Sequence, residues 1–284
     1  DERLCFNACM NPTKEHLQAL LRQARRERRL SQLELSMRLG VSQRHVSFVE
    51  SGRSRPSRPL LMGWLQVLDV PLSLRNTALQ HAGFAPAFAA TAMDDPQLAH
   101  IQLALAHLLR THEPMPALVI GPQWDILHLN CGAAWLAETL MPGALNSKGA
   151  APPNMLDLLL HPEGLMRRLV NVGEAGADFL AQLRADLLDQ PQLAPRVEAL
   201  AEKLAPYLPA PGRREEMKAP SPLLTLRFDT PHGELAFFRM FSTFGSPRDI
   251  TLTSLRVEHM FAADEHTHRV LTQHVAYAID SDTH

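Results

Sequence analysis

Residues 42–47 (SQRHVS) carry the side chains whose types and spacing best match a recognisable chemistry. Gln43 and Arg44 follow a serine directly, and Val46 and Val49 provide apolar positions at helical spacing. Gln and Arg present paired hydrogen-bonding groups that fit base edges, and Arg to guanine is the commonest specific pairing. If the valines face a core, the outer edge of this helix can read duplex DNA.

The preceding residues predict a second helix and a tight corner. Ser31 with Glu34 three positions later forms a capping-box pattern, so a helix begins at about Gln32. Gly40 supplies the backbone freedom that a corner needs, and Ser42 suits the cap of the next helix. Two short helices joined by a Gly-containing turn form a helix-turn-helix, whose second helix enters the major groove.

Further polar residues extend the predicted DNA contact. Gln32 opens the first of the two helices, where its side chain and the helix N-terminus can meet a phosphate. A basic run follows in a Ser- and Pro-rich loop, suited to backbone or minor-groove contact. A small helical domain with a solvated polar face is the alternative interpretation. The predicted DNA-binding residues are Gln32, Ser42, Gln43, Arg44, His45, Ser47, Arg53, Arg55 and Arg58.

Charge is divided unevenly along the chain. Residues 12–70 contain 11 Lys or Arg against 5 Asp or Glu, whereas residues 71–284 contain 16 against 23. Basic side chains release counterions from nucleic acid, so the first segment is the expected DNA-binding surface. The acidic remainder is a poor candidate for a second one.

The segments LSQ, LGVS and ESGRSRPS, in this order, resemble the XRE (Cro/repressor-like) helix-turn-helix family over about residues 14–82. The resemblance implies a five-helix bundle. It also implies that an Arg of the first helix pairs with the Glu of the E-x-G turn. Here these structural residues are Arg25 and Glu50.

Length and composition set the remaining limits. A chain of 284 residues has room for about two domains, and 45% hydrophobic with 20% charged residues is typical of a soluble globular protein. No apolar run approaches the roughly 20 residues of a membrane span, so we expect a cytoplasmic protein without a membrane partner. Cys5, Cys9 and Cys131 do not form a disulfide framework, and a Cys5–Cys9 redox pair is a less favoured alternative.

The second half of the chain alternates between helical and strand patterns. An apolar run at 117–120, a Gly-Pro turn and an alternating run at 125–130 predict a β-hairpin. Strands are also predicted at 223–229 and 234–244, and 251–261 is either a third strand or a short helix followed by a strand. The predicted domains are a flexible tail (1–11), a helix-turn-helix domain (12–83), a linker (84–97), a ligand-binding and dimerisation domain (98–270) and a second tail (271–284).

Several segments in this half, including THEPMPALVI, WDILHLN, LLLHPEGL and GELAFFRMFSTFGSPRDITL, resemble the MmyB-like ligand-binding domain found behind XRE-type heads. The resemblance covers about residues 98–265 and implies a PAS-like domain that senses a small molecule, with fatty-acid-like ligands as the suggested class. Val172 departs from it, because the family often has Trp there. The predicted class is therefore α+β: an N-terminal all-α five-helix helix-turn-helix bundle and a C-terminal PAS-like antiparallel sheet with helices.

Apolar side chains of this half are suited to a buried pocket, although the same residues would equally build a solid core. Arg227 or Arg239, if turned inward, could meet a carboxylate. No cofactor is expected beyond a bound fatty acid acting as effector. The predicted ligand-binding residues are Trp124, Leu127, Trp135, Phe179, Leu226, Phe228, Phe238 and Met240.

Enzymatic motifs are missing from the sequence, which contains no G-x-S-x-G, no P-loop and no G-x-G-x-x-G. His266, His268 and His274 could hold a metal, but a polar cluster near a C-terminus is more often solvated, so no catalytic or metal residue is predicted.

The favoured hypothesis is a homodimeric transcription regulator that binds a double-stranded DNA operator and a small apolar ligand. The alternative is a DNA-binding regulator whose second domain only dimerises or recruits a protein. An enzyme with an accessory DNA-binding head is less favoured.

Overall fold

The computed structural model describes residues 12–143, 152–187, 190–208, 223–245 and 247–281. The predicted N-terminal tail at 1–11 lies outside them. The chain divides into two compact units, which separate at Ala90 and Thr91; Arg248–Ile250 group with the first. No helix among these residues is both long enough and apolar enough to cross a membrane.

The first unit is the predicted bundle of five helices. Each helix turns an apolar stripe inward, and Leu21, Leu35, Trp64 and Leu79 are fully buried in the common core. The helices are α1 (Pro12–Glu27), α2 (Gln32–Leu39), α3 (Gln43–Glu50), α4 (Arg58–Val67) and α5 (Leu72–His81).

The corner between α2 and α3 forms as its sequence predicts. Ser31 and Glu34 complete the capping box, with the Ser31 N–H donating to the Glu34 carboxylate over 2.7 Å. These hydrogen bonds lower the pKa of Glu34. Gly40 ends α2 in the left-handed region at φ 65°, and Ser42 caps α3 by accepting from the His45 N–H. The relative orientation of α2 and α3 is thus set locally.

The second unit is built on a five-stranded antiparallel sheet in the order β2-β1-β5-β4-β3. The strands are β1 (Ala117–Ile120), β2 (Ile126–Leu129), β3 (Thr225–Thr230), β4 (Gly233–Ser242) and β5 (Arg256–Ala262). The remaining α-helices of the described residues are α6 (Ala99–Thr111), α7 (Cys131–Leu140), α8 (Met155–Leu160), α9 (Val172–Asp186), α10 (Ala194–Leu204), α11 (Ile250–Ser254) and α12 (Glu265–Ser281).

Helices cover both faces of the sheet at β1. Ala117 and Val119 pack with Leu105 and Leu109 of α6. The alternate residue Leu118 faces the opposite way, into a cluster formed with α8, α9 and α10. The predicted α+β class is confirmed, and of the two alternatives for 251–261 the structure has a short helix followed by a strand.

One buried side chain ties the predicted hairpin to the next helix. Asn130 caps α7 by accepting from the Ala133 N–H. The same oxygen accepts from the Ala117 N–H, and its amide nitrogen donates to the Met115 carbonyl over 2.8 Å. The start of α7 is therefore fixed against β1.

The C-terminal segment differs from the expected tail. Helix α12 runs through most of 271–284, and Leu271 and Val275 are completely buried against β4 and α7. Thr267 reinforces this packing, since its hydroxyl accepts from the Ala236 N–H over 2.9 Å. The apolar residues of α12 are few and alternate with His, Thr and Gln. The sequence therefore does not clearly show the apolar stripe that faces inward.

We expect Leu271→Ala to lower the free energy of unfolding by about 2–5 kcal/mol, because it leaves a cavity between α12 and the sheet. The exposed neighbour Gln273→Ala is the control and should change it by less than about 0.5 kcal/mol. Urea unfolding followed by tryptophan fluorescence measures both. Equal effects would show that α12 does not belong to the core.

Candidate nucleic-acid interface and ligand cavity

Helix α3 lies on the first unit with one face buried and one edge exposed. Val46 and Val49 are fully buried and anchor the helix, while Gln43 and Arg44 are exposed in its first turn. Side chains at the N-terminal end of such a helix are those that reach base edges in a major groove. The exposed edge therefore has the composition and the position of a DNA-reading surface.

A buried carboxylate fixes α3 at its other end. Glu50 is 2% exposed and accepts two hydrogen bonds from the Arg25 guanidinium, at 2.7 and 3.0 Å. Gln32 donates a third, over 2.8 Å. The Arg25 guanidinium also donates to the Leu30 carbonyl over 2.7 Å. The pairing of Arg25 with Glu50 was implied by the XRE resemblance and is present. The hydrogen bond that Arg25 donates to Glu50 raises the pKa of Arg25.

Phe48 lies beside two of the predicted DNA-binding arginines, and the sequence did not single out this residue. The guanidinium carbon of Arg44 lies 5.1 Å from the centre of its ring and that of Arg53 lies 5.9 Å away. At such distances a guanidinium over the face of an aromatic ring is attracted to that ring. The half-buried phenyl ring thus lies within reach of both charges, in the last turn of α3. Phe48 follows Arg44 by four residues, and this helical spacing is the signal in the sequence that could have shown the pair.

The remaining predicted DNA-binding residues differ in exposure. Gln32 is half-buried and its amide nitrogen is engaged by Glu50, so its carbonyl oxygen and backbone are the parts left to face outward. His45 and Ser47 are half-buried. Exposed positions are occupied by Ser42, Gln43, Arg44, Arg53, Arg55 and Arg58. Their individual contacts with DNA stay predictions.

The second unit contains an apolar cavity of about 160 Å³. It lies between the sheet and the helical layer, and side chains from β1 to β5 and from α7 to α10 form its wall. The wall is mostly aliphatic or thioether, and its members include Leu118, Leu136, Met155, Leu200 and Met260. An apolar cavity of about 150 Å³ takes up a molecule such as benzene, so this one can hold a short hydrocarbon segment.

One ion pair supplies the charged part of the cavity wall. Arg239 donates to Glu258 over 3.3 Å and to Asp178 over 3.4 Å, and Glu258 is only 5% exposed. Burial raises the pKa of Glu258, and the neighbouring charge of Arg239 opposes that rise. Of the two arginines considered from the sequence, Arg239 faces inward, whereas Arg227 is exposed beside Glu234.

Three of the eight predicted ligand-binding residues, Phe179, Leu226 and Phe228, lie in the cavity wall. The other five lie elsewhere in the second unit. Trp124 is fully buried behind the wall, where its ring meets Phe179 edge-on at 4.8 Å and its indole N–H donates to Asp186 over 3.0 Å.

The four remaining residues pack outside the cavity wall as well. Leu127 belongs to the cluster beneath α6, and Met240 is 55% exposed. Phe238 stacks on Phe261, with ring centres 5.1 Å apart. Trp135 packs on the rings of His232 and His274. Whether any of the eight contacts a ligand stays a prediction.

Sequence reasoning missed the methionines of the wall, which are Met141, Met155, Met166 and Met260. Methionine is flexible and polarizable, so it adapts to irregular or variable contents. The chain's 11 methionines were a signal of this kind, but their positions on helices and strands do not show which of them share a space.

His266 and His274, which were considered as metal ligands from the sequence, contact other groups of the fold. No group of three or more metal-ligating side chains occurs in the described ranges. His274 stacks on Trp135, and His266 forms a hydrogen bond with the His232 carbonyl over 3.0 Å.

These two units define a chain that joins a helix-turn-helix bundle to a sheet-and-helix unit with an apolar cavity. Residues 101–273 match the family model of the MmyB-like transcription regulator ligand binding domain, and the chain belongs to this family. Residues 21–74 match a helix-turn-helix family model, which confirms the XRE-type head.

Comparisons with individual proteins add little to this assignment. No curated protein matches the chain in sequence. A solved structure titled as an RNA-binding Light-Oxygen-Voltage receptor aligns with 95% of this chain and 63% of its own length, at 12% identity. Its TM-score of 0.25 is too low for that likeness to bear on the fold.

We expect Glu50→Gln to destabilise α1 to α3 by about 3–5 kcal/mol, because it leaves the Arg25 charge buried without its counter-charge. The control is Asp69→Asn, which removes a carboxylate that is 80% exposed beside Arg28 and should cost less than about 1 kcal/mol. Amide hydrogen exchange of these helices reports both opening free energies. Similar losses in the two variants would contradict a special role for the buried pair.

Proposed function

We propose that this protein is a transcription regulator that binds a DNA operator through α3 and is controlled by a small apolar effector in the second unit. The observation that carries the first half is the outward edge of α3, where Gln43 and Arg44 are exposed while the opposite face is locked to the bundle. The family matches support the same assignment, with DNA binding in the first unit and ligand binding in the second.

The effector half of the proposal rests on the cavity. It is apolar, it lies inside a unit of the family named for ligand binding, and methionines in its wall can adjust to a bound chain. A fatty-acid-like hydrocarbon chain fits this chemistry. The alternative, in which the second unit only dimerises or recruits a protein, requires the cavity to have no occupant.

We further propose a homodimer whose two heads occupy half-sites about one helical turn apart. Effector binding would then change operator affinity by favouring one separation of the heads over another. Such coupling requires a different affinity of the effector for the two states.

Arg44 and Arg53 provide a test of the DNA contacts. An operator is first selected from a random duplex pool with the full chain. Arg44→Ala should then weaken operator binding by about 1–3 kcal/mol more than it weakens binding to unrelated DNA, because Arg44 reads bases. Arg53→Ala should weaken both alike, because it contacts phosphate. Fluorescence anisotropy at fixed salt measures the affinities, and identical operator-specific losses would refute the assignment.

The effector claim is tested on the same operator with octan-1-ol and octanoate as probes. We expect at least one of them to change operator affinity in the natural chain. Ala137→Phe, which fills the cavity, should abolish the change, whereas the exposed Ala106→Phe should preserve it. Operator affinities that stay constant with either probe, despite measured binding of the probe, would favour the dimerisation alternative.

A further inference from the structure

Two charged side chains lie in a cavity wall that is otherwise apolar. Among the described residues that line the cavity, Arg239 of β4 and Glu258 of β5 are the two that carry a charge. The register pairs Glu258 with Leu118 of β1, which also lines the cavity, and Met260 shares the same face of β5. The carboxylate therefore belongs to the face of the sheet that forms the cavity wall.

The guanidinium of Arg239 is already engaged within the fold. It donates to Glu258 over 3.3 Å and to Asp178 over 3.4 Å. Its central carbon also lies 5.6 Å from the centre of the Phe241 ring. A ligand carboxylate placed here would displace one of the two protein carboxylates or add a third negative charge in a largely buried region. Arg239 is thus poorly suited to receive an anion.

The neighbouring arginine of β5 does not change this balance. Arg256 lies two residues before Glu258 and donates to Asp186 over 2.7 Å, so its charge is offset by that carboxylate. Together with Arg239 and Asp178, the group contains two guanidinium groups and three carboxyl groups. It therefore provides no surplus positive charge for an anionic ligand.

Glu258 differs from these arginines, because one of its two oxygens is open. Its Oε1 accepts from Arg239 over 3.3 Å, which is long for a charge-assisted hydrogen bond. Its Oε2 has no hydrogen-bond partner among the residues that the structure describes, although Glu258 is only 5% exposed. A buried acceptor without a partner is unfavourable, and a donor that enters with a ligand would satisfy it. The wall thus offers an acceptor to the contents of the cavity.

We propose that the effector carries a neutral hydrogen-bond donor, such as a hydroxyl or a primary amide, which Glu258 recognises while the rest of the molecule fills the apolar part of the cavity. This assignment rests on the proposed function and specifies the polar end of its ligand. Glu258 then determines specificity in two ways. Its open oxygen selects a donor, and its charge excludes a carboxylate.

Three probes of similar size test the donor and the charge separately. Octan-1-ol has a donor, its isomer 1-methoxyheptane has only an acceptor, and octanoate is an anion. Equilibrium dialysis against the full chain at pH 8 gives each affinity, and the pH is kept above neutrality because burial raises the pKa of Glu258. We expect octan-1-ol to bind about tenfold more tightly than 1-methoxyheptane, the scale of one hydrogen bond to a charged group. It should also bind more tightly than octanoate.

Two variants assign these preferences to a residue. Glu258→Gln removes the charge and retains the shape, so the ratio of alcohol to ether affinity should fall to about threefold, since a hydrogen bond to a neutral group is about half as strong. Octanoate should bind this variant more tightly, because the repulsion is lost. Glu234→Gln makes the same change on the exposed side of β4, beside Arg227, and should leave all three affinities unchanged. Circular dichroism checks the fold of both variants.

The comparison in the natural chain needs no variant, so it decides the proposal even if Glu258→Gln does not fold. Equal affinities of the alcohol and the ether, or tighter binding of octanoate than of octan-1-ol, would overturn the role of Glu258 while the effector cavity stands. A tenfold ratio that persists in Glu258→Gln would overturn it too. Failure of all three probes to bind would eliminate the proposed effector function as well.

Discussion

The first unit depends on the carboxylate of Glu50. Its two oxygens accept three hydrogen bonds from two other helices or their ends, and the group is almost completely removed from water. A charge buried in this way is tolerated only when partners surround it, so the pair with Arg25 also dictates how α1, α2 and α3 meet. Since Glu50 ends α3, the same contact determines which edge of that helix stays outside.

A constraint of a different kind shapes the second unit, where helices cover the sheet without filling the space between them. Gly176 of α9 approaches α10 so closely that a Cβ atom would lie 2.5 Å from Leu204. Small residues on the cavity side, Ala133, Ala137 and Ala175, then leave room beside this contact. Protein interiors are normally close-packed and contain few gaps of this size. Here the sheet and the helix contacts keep the layers apart, so the space remains.

The local features of this fold could be predicted from sequence, while the wall of the cavity could not. The cap at Ser42 and the corner at Gly40 depend on a few adjacent residues, and both form as expected. The wall depends on which of many apolar side chains converge from nine elements. Trp124 illustrates the difficulty: its backbone adopts φ 67°, a conformation rare for a bulky residue, and the ring turns behind Phe179 instead of into the space.

Arginines that are paired with carboxylates inside the fold differ from an arginine that is proposed to contact a partner. Arg25, Arg239 and Arg256 each bind a carboxylate and are mostly shielded from water, so their charge is used within the fold. Arg44 has no carboxylate partner in the part of the chain that the structure describes, and its guanidinium lies over the ring of Phe48. A fixed charge without a partner costs little conformational entropy to engage, which favours binding of an anion from outside. For Arg44 the proposed anionic partner is DNA.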